Sequence, residues 1–280
     1  MRNATYFIVF FADNIWTYTQ TWEDEMLGSA KRIVTPFLLA GVLLIAALLP
    51  SHAAELNILV PNNLRLGISQ AIKAFEKESG HKVIPSFAGS RQLVKRIQKG
   101  EKVDLIILRT SQLSKFKKAG SLVSTDTPTI ARVGIGVAVK KGSTKPDVSS
   151  MAKLQSALRS ARSVGHSDPK VGFLGKHLAE SFAKFNLLEV VKDKRKTFPP
   201  GDGLWNAVAN GEVELALGPI SAIHERKDLE YAGPVPEEIQ SYNHFGAGIS
   251  KSTKDLGAST SLLNFLSSPP AQKILHANGL

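Results

Sequence analysis

The sequence predicts an α/β protein of two lobes, each built around a doubly wound and mainly parallel sheet. Short apolar stretches alternate with amphipathic helical stretches between residues 55 and 120, in the order strand, helix, strand, helix, strand, helix. The stretch VDLIIL at 103–108 is almost continuously apolar, as a strand buried on both faces should be. A second α/β stretch begins at residue 133. This alternation is typical of parallel sheets that are covered by helices.

The first three strand–helix units follow from the spacing of their apolar residues. The predicted strands are 55–60, 83–87 and 103–108. The helix after the first strand has one apolar face with helical spacing, formed by Leu64, Ile68, Ala71, Ile72 and Phe75. Glycines follow this helix and the next two, and we expect them to end the helices at Gly80, Gly100 and Gly120.

The second α/β stretch opens with a pattern that predicts one long strand. Val133, Ile135, Val137 and Val139 alternate with glycine or alanine, which is typical of a half-buried strand. Further strands are predicted at 164–166, 213–217 and 245–249. Further helices are predicted at 151–161, 178–185, 204–209, 261–267 and 270–277.

Residues 1–53 are predicted to be an N-terminal extension and signal peptide outside the fold. The run FLLAGVLLIAALL at 37–49 has thirteen apolar residues, whereas a membrane-spanning helix needs about 20. Two basic residues precede it and Ser51-His52-Ala53 follows, as in a signal peptide cleaved after Ala53. An uncleaved membrane anchor is the alternative.

The translation start is predicted at Met26 rather than at Met1. Glu23, Asp24 and Glu25 stand directly before Met26, whereas the start of a signal peptide is basic. The alternative is that residues 1–25 form a real cytoplasmic tail.

Composition excludes several classes of function. The chain has no cysteine, which excludes disulfide frameworks, thiolate metal sites and cysteine nucleophiles. The formal net charge is +11, but the basic residues are scattered and no nucleic-acid-binding motif accompanies them. We therefore expect no nucleic-acid partner, and a bias toward anionic ligands.

Polar residues stand where the predicted strands end and the helices begin. Open parallel sheets bind ligands at these junctions, and the first N–H groups of the helices suit oxyanions. The candidate ligand-binding residues at the junctions are Asn62, Asn63, Ser90, Arg91, Arg109 and Ser167, and the Gly-Asp-Gly stretch at 201–203 has an equivalent place. The alternative is that each side chain merely caps its helix.

Arg91 and Arg109 have a further alternative. A guanidinium at the end of a strand can bind a carboxylate or a phosphate through two hydrogen bonds. Each arginine could instead be a surface residue or form a salt bridge between the lobes.

The usual catalytic motifs are missing from the sequence. Gly172–Lys176 lacks the spacing and the Ser or Thr of a phosphate-binding loop, and neither a GxSxG motif nor a GxGxxG motif after the first strand occurs. We therefore expect a binding protein rather than an enzyme, with no cofactor and no metal.

Six segments resemble the periplasmic solute-binding proteins of molybdate-type ABC transporters. They are AELNILVPNNL at 54–64, FEKESGHKVIPSFAGS at 75–90, VDLII at 103–107, ARVGIGVAVKKG at 131–142, SDPKVGFLGKHLAESFAKFNL at 167–187 and NGEVELALGPIS at 210–221. The C-terminal LLNFLSSPPAQKILHANGL is similar to the last helices of that family. The resemblance covers almost all of 54–280.

The resemblance implies a type II periplasmic binding protein fold. The first lobe would comprise 54–131 and 232–280, and the second lobe 132–231. Family members hold the anion with serine hydroxyls and backbone N–H groups. By position, Asn63 replaces the first serine, Ser90 matches the second, and a backbone donor falls near Leu174.

Departures from the family pattern indicate a divergent branch. The position of a tyrosine in the second lobe of family members falls near Pro219, which has neither a hydroxyl nor an N–H group. Arg91 and Arg109 are added cations. We therefore leave two ligand classes open, a molybdate-like or tungstate-like oxyanion and a larger organic anion.

The expected function is capture of a small anion in the periplasm and delivery to an ABC transporter permease, by a monomer. The alternative is an extracytoplasmic sensor or scavenging module without a transporter.

Overall fold

The computed structural model describes residues 53–123, 126–171, 173–199 and 201–280, which contain ten strands. The predicted extension, signal peptide and start codon at 1–52 lie outside the described residues. The strands are β1 Glu55–Pro61, β2 Lys82–Ala88, β3 Leu105–Arg109, β4 Thr129–Val133, β5 Ile135–Lys140, β6 Val164–Ser167, β7 Arg195–Phe198, β8 Leu215–Pro219, β9 Leu229–Pro234 and β10 Asn243–Ile249.

Ten α-helices accompany these strands in the described residues. They are α1 Arg65–Ser79, α2 Ser90–Gln98, α3 Thr110–Lys118, α4 Met151–Ser160, α5 Phe173–Lys184, α6 Leu188–Val191, α7 Gly203–Asn210, α8 Ile220–His224, α9 Leu256–Ser267 and α10 Pro269–Ala277. Short 3₁₀ turns precede α1 at Asn62–Leu64 and β10 at Glu237–Ile239. Within the described part of the chain, each helix is too short or too polar to cross a membrane.

The strands form two five-stranded sheets with the same pattern of directions. The first sheet has the order β2-β1-β3-β10-β4 and the second has the order β7-β6-β8-β5-β9. In the first, β1 pairs in parallel with β2 and β3, and β10 is antiparallel to both of its neighbours. In the second, β5 is the reversed strand. Four strands of each sheet thus share one direction, which confirms the prediction of two mainly parallel sheets.

Helices cover both faces of each sheet. Side chains of β1 alternate between the faces: Ile58 packs in a core with α1, α9 and α10, whereas Leu59 packs in a core with α2 and α3. The second sheet has one core with α4, α5 and α6, and another with α7 and α8. This arrangement is the doubly wound fold that the alternating pattern predicts.

The predicted long strand at 133–139 is wrong. The chain forms two strands there, β4 in the first sheet and β5 in the second, and the break is at Gly134. The Gln240 side chain accepts a hydrogen bond from Ile135 N and donates one to Ile135 O, at 2.6 and 2.9 Å. A Cβ at Gly134 would lie 2.8 Å from the Tyr242 ring. Because Gln240 and Tyr242 pack against the chain at Gly134 and Ile135, the chain passes from the first sheet to the second there instead of continuing as one strand.

The predicted lobe boundaries fall inside strands. Residues 131 and 132 both belong to β4, and residues 231 and 232 both belong to β9. The division into lobes at these residues stays a prediction. The apolar pattern also missed short or polar elements, namely β7, α6, α8 and β9.

A buried carboxylate joins the first sheet to the segment after β10. Asp104 is 2% exposed. Its carboxylate accepts hydrogen bonds from Asn57 N, Lys254 N and Thr253 Oγ1 at 2.8, 2.9 and 3.0 Å. Three donors from two separate segments thus depend on one side chain.

We expect Asp104→Ala to lower the free energy of unfolding by about 2–4 kcal/mol, because it leaves three donors without their acceptor. Denaturant unfolding would measure the change. Asp193→Ala, at an exposed position, is the matched control and should change it by less than about 0.5 kcal/mol. Equal effects of the two variants would contradict the role assigned to Asp104.

Candidate functional site

One cavity of about 640 Å³ lies where strands of both sheets end. It is lined by Asn62, Asn63, Arg65, Arg109, Val133, Ser167, Val171, Phe173, Leu174, Gly175, Pro199, Gly201, Asp202, Leu204, Trp205, Pro219, Ala222, Glu225 and Asn243. Lining residues follow β1 and β7 and end β3, β6 and β8. These are carboxyl ends of strands, where a ligand is expected in an open α/β sheet.

The structure brings five of the seven candidate residues to this cavity: Asn62, Asn63, Arg109, Ser167 and Leu174.

Ser90 and Arg91, which the structure describes, do not line the cavity, and their part in binding stays a prediction. They begin α2 after β2, which is the edge strand of the first sheet.

Several helices at the strand ends begin without a side-chain cap. Neither α2, α3 nor α7 receives a capping hydrogen bond from its N-cap side chain. The N-caps of α2 and α3 are Gly89 and Arg109, so Ser90 and Thr110 are already inside their helices. By contrast, Ser150 and Asp255 cap α4 and α9 through backbone N–H groups, at 3.3 and 2.9 Å. Within the described residues, the first-turn N–H groups of α3 and α7 therefore have no N-cap side chain as acceptor and can donate hydrogen bonds to an anion.

Arg65 is a lining residue that the sequence analysis missed. Its Nη2 donates a hydrogen bond to Asn62 Oδ1 at 3.1 Å, and its guanidinium lies 4.3 Å from the centre of the Phe87 ring. Arg65 begins α1, and a cation at the N-terminus of a helix is opposed by the helix dipole. This unfavourable placement, next to two asparagines at a strand end, could have marked Arg65 in the sequence as a candidate site residue.

The charged residues of the lining are divided between the two sides of the cavity. Arg65 and Arg109 belong to the side of the first sheet, and Asp202 and Glu225 to the side of the second. Desolvation raises the pKa of the Glu225 carboxyl; the negative charge of Asp202 raises it further, and Arg65 opposes the rise.

The first turn of α5 packs directly on the end of β6. A Cβ at Gly175 would overlap the carbonyl oxygen of Asp168 and lie 2.7 Å from that of Ser167. Both contacts are with backbone, which cannot move as a flexible side chain can. Glycine at this position therefore sets how closely the start of α5 approaches the cavity.

We expect Gly175→Ala to lower the free energy of unfolding by about 1–3 kcal/mol, because the added methyl group forces backbone atoms apart. Gly257→Ala is a matched control in the first turn of α9, where the nearest atom to a Cβ is 3.5 Å away. Denaturant unfolding of both variants measures the difference. A Gly175→Ala variant as stable as Gly257→Ala would contradict the close approach.

The raised pKa of Glu225 predicts a dependence of stability on pH. A carboxyl whose pKa is higher in the folded than in the unfolded chain favours folding at low pH, and this contribution is lost as the pH rises through the folded pKa. Glu225→Gln removes this loss. The melting temperature of the variant relative to that of the wild type should therefore increase between about pH 4 and pH 8.

Thermal unfolding across that range is the measurement. Glu238→Gln, at an exposed position, is the control and should show no such trend. A flat or falling difference for Glu225→Gln would contradict the raised pKa.

Comparison with known proteins identifies the family. The model for the family described as "Bacterial extracellular solute-binding protein" matches residues 56–280. An aconitate isomerase of Pseudomonas sp. is 26% identical over 255 residues, covering 88% of this chain and 95% of that protein. The molybdate-binding protein ModA of Azotobacter vinelandii is 28% identical over 262 residues, covering 91% and 98%.

Solved structures share the fold. The substrate-binding domain of a putative molybdenum ABC transporter from Clostridium difficile has a TM-score of 0.69 at 20% identity, covering 81% of this chain and 97% of that chain. The periplasmic molybdate-binding protein of A. vinelandii has a TM-score of 0.60 at 17% identity, covering 80% and 97%. These likenesses confirm the expected two-lobed, type II periplasmic binding protein fold and the resemblance to molybdate-type proteins. The chain belongs to the family of bacterial extracellular solute-binding proteins.

Proposed function

We propose that this protein captures a small anion in the periplasm and delivers it to an ABC transporter permease. The observation that carries the proposal is the convergence of Arg65, Arg109 and the helix starts on one cavity at the carboxyl ends of strands. Guanidinium groups supply positive charge, and the uncapped N–H groups can donate hydrogen bonds to a bound anion. The +11 formal charge of the chain is consistent with attraction of anions.

Binding would couple to movement of one lobe against the other. We propose lobes of 54–131 with 232–280, and of 132–231. The chain leaves the first sheet close to the first of these boundaries, at Gly134, and returns to it after the second, between β9 and β10. An anion that contacts residues of both sheets favours the closed arrangement, because only that arrangement offers it all of its contacts. The permease would then receive the closed, loaded protein.

The anion belongs to one of two classes. A relative named as a molybdate-binding protein favours a molybdate-like or tungstate-like oxyanion. The two lining arginines favour an organic carboxylate, since each can bind a carboxylate through two hydrogen bonds. Pro219 also lines the cavity, and it has no hydroxyl or N–H group that could donate a hydrogen bond to an oxyanion.

A sensor or scavenging module with the same cavity is the alternative within the binding class. It would bind the same anion without docking on a permease. A permease gene beside this gene would favour transport.

An isomerase is the second candidate function, because one relative is named an aconitate isomerase. Aconitate is a tricarboxylate, which the arginines suit, and isomerisation of its double bond can proceed by proton transfer. Glu225 is the candidate acid–base residue, since its carboxyl lines the cavity and its pKa is raised. Incubation with cis-aconitate and with trans-aconitate, followed by proton NMR, tests this function. Interconversion that Glu225→Gln abolishes would support it, and a constant isomer ratio would exclude it.

We expect an anion to raise the melting temperature of the purified protein with increasing concentration, because it binds only the folded state. The panel is molybdate, tungstate, sulfate, phosphate, succinate and citrate. Arg109→Gln should lower the affinity for the stabilising anion by about 10-fold or more, because the variant loses a charge-assisted hydrogen bond to the anion.

Arg159→Gln is the matched control, because Arg159 is an exposed arginine of α4 that lies outside the cavity lining. An equal loss in both variants would mean that general positive charge, rather than the cavity, attracts the anion. No stabilisation by any member of the panel would contradict anion capture.

A further inference from the structure

The cavity carries acidic as well as basic side chains. Two arginines lie on the side of the first sheet, and the carboxylates of Asp202 and Glu225 lie on the side of the second, so the formal charges of the lining balance. A simple dianion would be attracted by Arg65 and Arg109 and repelled by Asp202 and Glu225. Positive charge alone therefore does not describe what this cavity selects.

The two carboxylates are not engaged by the structure that surrounds them. Asp202 is the N-cap of α7, but its side chain accepts no hydrogen bond from that helix. Glu225 follows α8, and its backbone N–H donates to Ser221 O at 3.1 Å; its carboxylate accepts no hydrogen bond from that helix. Neither carboxylate has a salt-bridge partner within 4 Å among the residues that the structure describes.

The arginines are likewise not used up by the carboxylates across the cavity. Arg65 donates to Asn62 and lies over Phe87, both on its own side. Within the described residues, neither Arg65 nor Arg109 forms a salt bridge to Asp202 or Glu225. The opposite charges therefore face a shared space instead of closing it.

An apolar wall accompanies these charges. Val171, Phe173, Leu174 and Trp205 line the same cavity, and the Phe173 side chain is 56% exposed. An inorganic oxyanion has no carbon atoms to cover such a wall. The volume of the cavity, about 640 Å³, is within the range of about 300–1,000 Å³ that is usual for sites of small organic molecules.

We propose that the ligand is a carboxylate that also carries a hydroxyl or ammonium group. Its carboxylate faces Arg65 and Arg109, and its hydroxyl or ammonium group donates to Asp202 or Glu225. The carbon skeleton covers the apolar wall. This assignment rests on the proposed anion capture in the same cavity and deepens it, because it adds a required hydrogen-bond donor. Molybdate and sulfate lack that donor and would leave two carboxylates facing a like charge.

Calorimetric titration with matched ligands tests the proposal. Succinate, malate and aspartate share a four-carbon dicarboxylate skeleton and differ by a hydrogen, a hydroxyl and an ammonium group at one carbon. We expect the wild type to bind malate or aspartate about 10-fold or more tightly than succinate, since a hydrogen bond to a charged acceptor is worth this much. Molybdate, titrated in parallel, represents simple oxyanions.

Two variants assign the preference to the acidic side. The double variant Asp202→Asn, Glu225→Gln should bring the affinities for malate and aspartate to within about 3-fold of that for succinate. Arg65→Gln should weaken all three dicarboxylates and leave their ratios unchanged, because it acts on the shared carboxylate. Glu238→Gln, at an exposed position, is the control and should alter none of the affinities. Thermal unfolding of each variant verifies that it is folded. If the double variant is not folded, the single variants Asp202→Asn and Glu225→Gln are titrated in its place.

The outcomes separate this inference from the proposed function. Equal affinities for the three dicarboxylates, or a preference that the acidic-side variants leave intact, would overturn the required donor and leave anion capture standing. Binding of molybdate without binding of any dicarboxylate would do the same. Failure of all four compounds to bind would overturn the inference together with capture of these anions.

Discussion

The direction of the strands is the constraint on which the rest of the structure depends. Each sheet has four strands that run one way, and the helices that follow them begin at the same end of the sheet. The helix-start N–H groups, which have no partner inside their own helix, are therefore gathered at the strand ends that meet at one cavity. Where a side chain supplies no cap, as at α3 and α7, these groups are left for a ligand.

The charged side chains of the cavity form no salt bridge with one another among the described residues. Arginines and carboxylates that face one another would ordinarily form salt bridges, yet Arg65 is turned to Asn62 and Phe87 on its own side. Holding charges in this way costs stability, and such a cost is common at sites that bind a ligand. The close contact of Gly175 with the end of β6 fixes one wall of the cavity at the start of α5.

Periodicity in the sequence predicted most of the fold, because buried faces need regular apolar spacing. The failures are local: β4 and β5 read as one strand, since the break at Gly134 depends on Gln240 and Tyr242, about a hundred residues away. Asn62, Asn63, Arg109 and Ser167 could be chosen as site residues because strand ends can be read from sequence, and Leu174 was implied by the resemblance to molybdate-type proteins. Asp202 belongs to the Gly-Asp-Gly stretch at 201–203, whose place resembles that of the other junctions, but no pattern in the sequence singles out its side chain. Arg65 could have been found from its place at the start of α1, whereas Glu225 lies beyond α8 and only the arrangement of the two sheets brings it to the cavity.

Amide hydrogen exchange of the full chain, with and without the most strongly stabilising anion of the panel, tests the cavity as the binding site most directly. Bound anion should slow exchange at the helix starts around the cavity, near 62–65, 110–112, 173–175 and 201–205, because their N–H groups become hydrogen-bonded and shielded. The apolar groove formed by 126–128 and α9 should exchange at an unchanged rate. Protection confined to that groove, or to the start of α2 at Ser90 and Arg91, would contradict the assignment of the cavity.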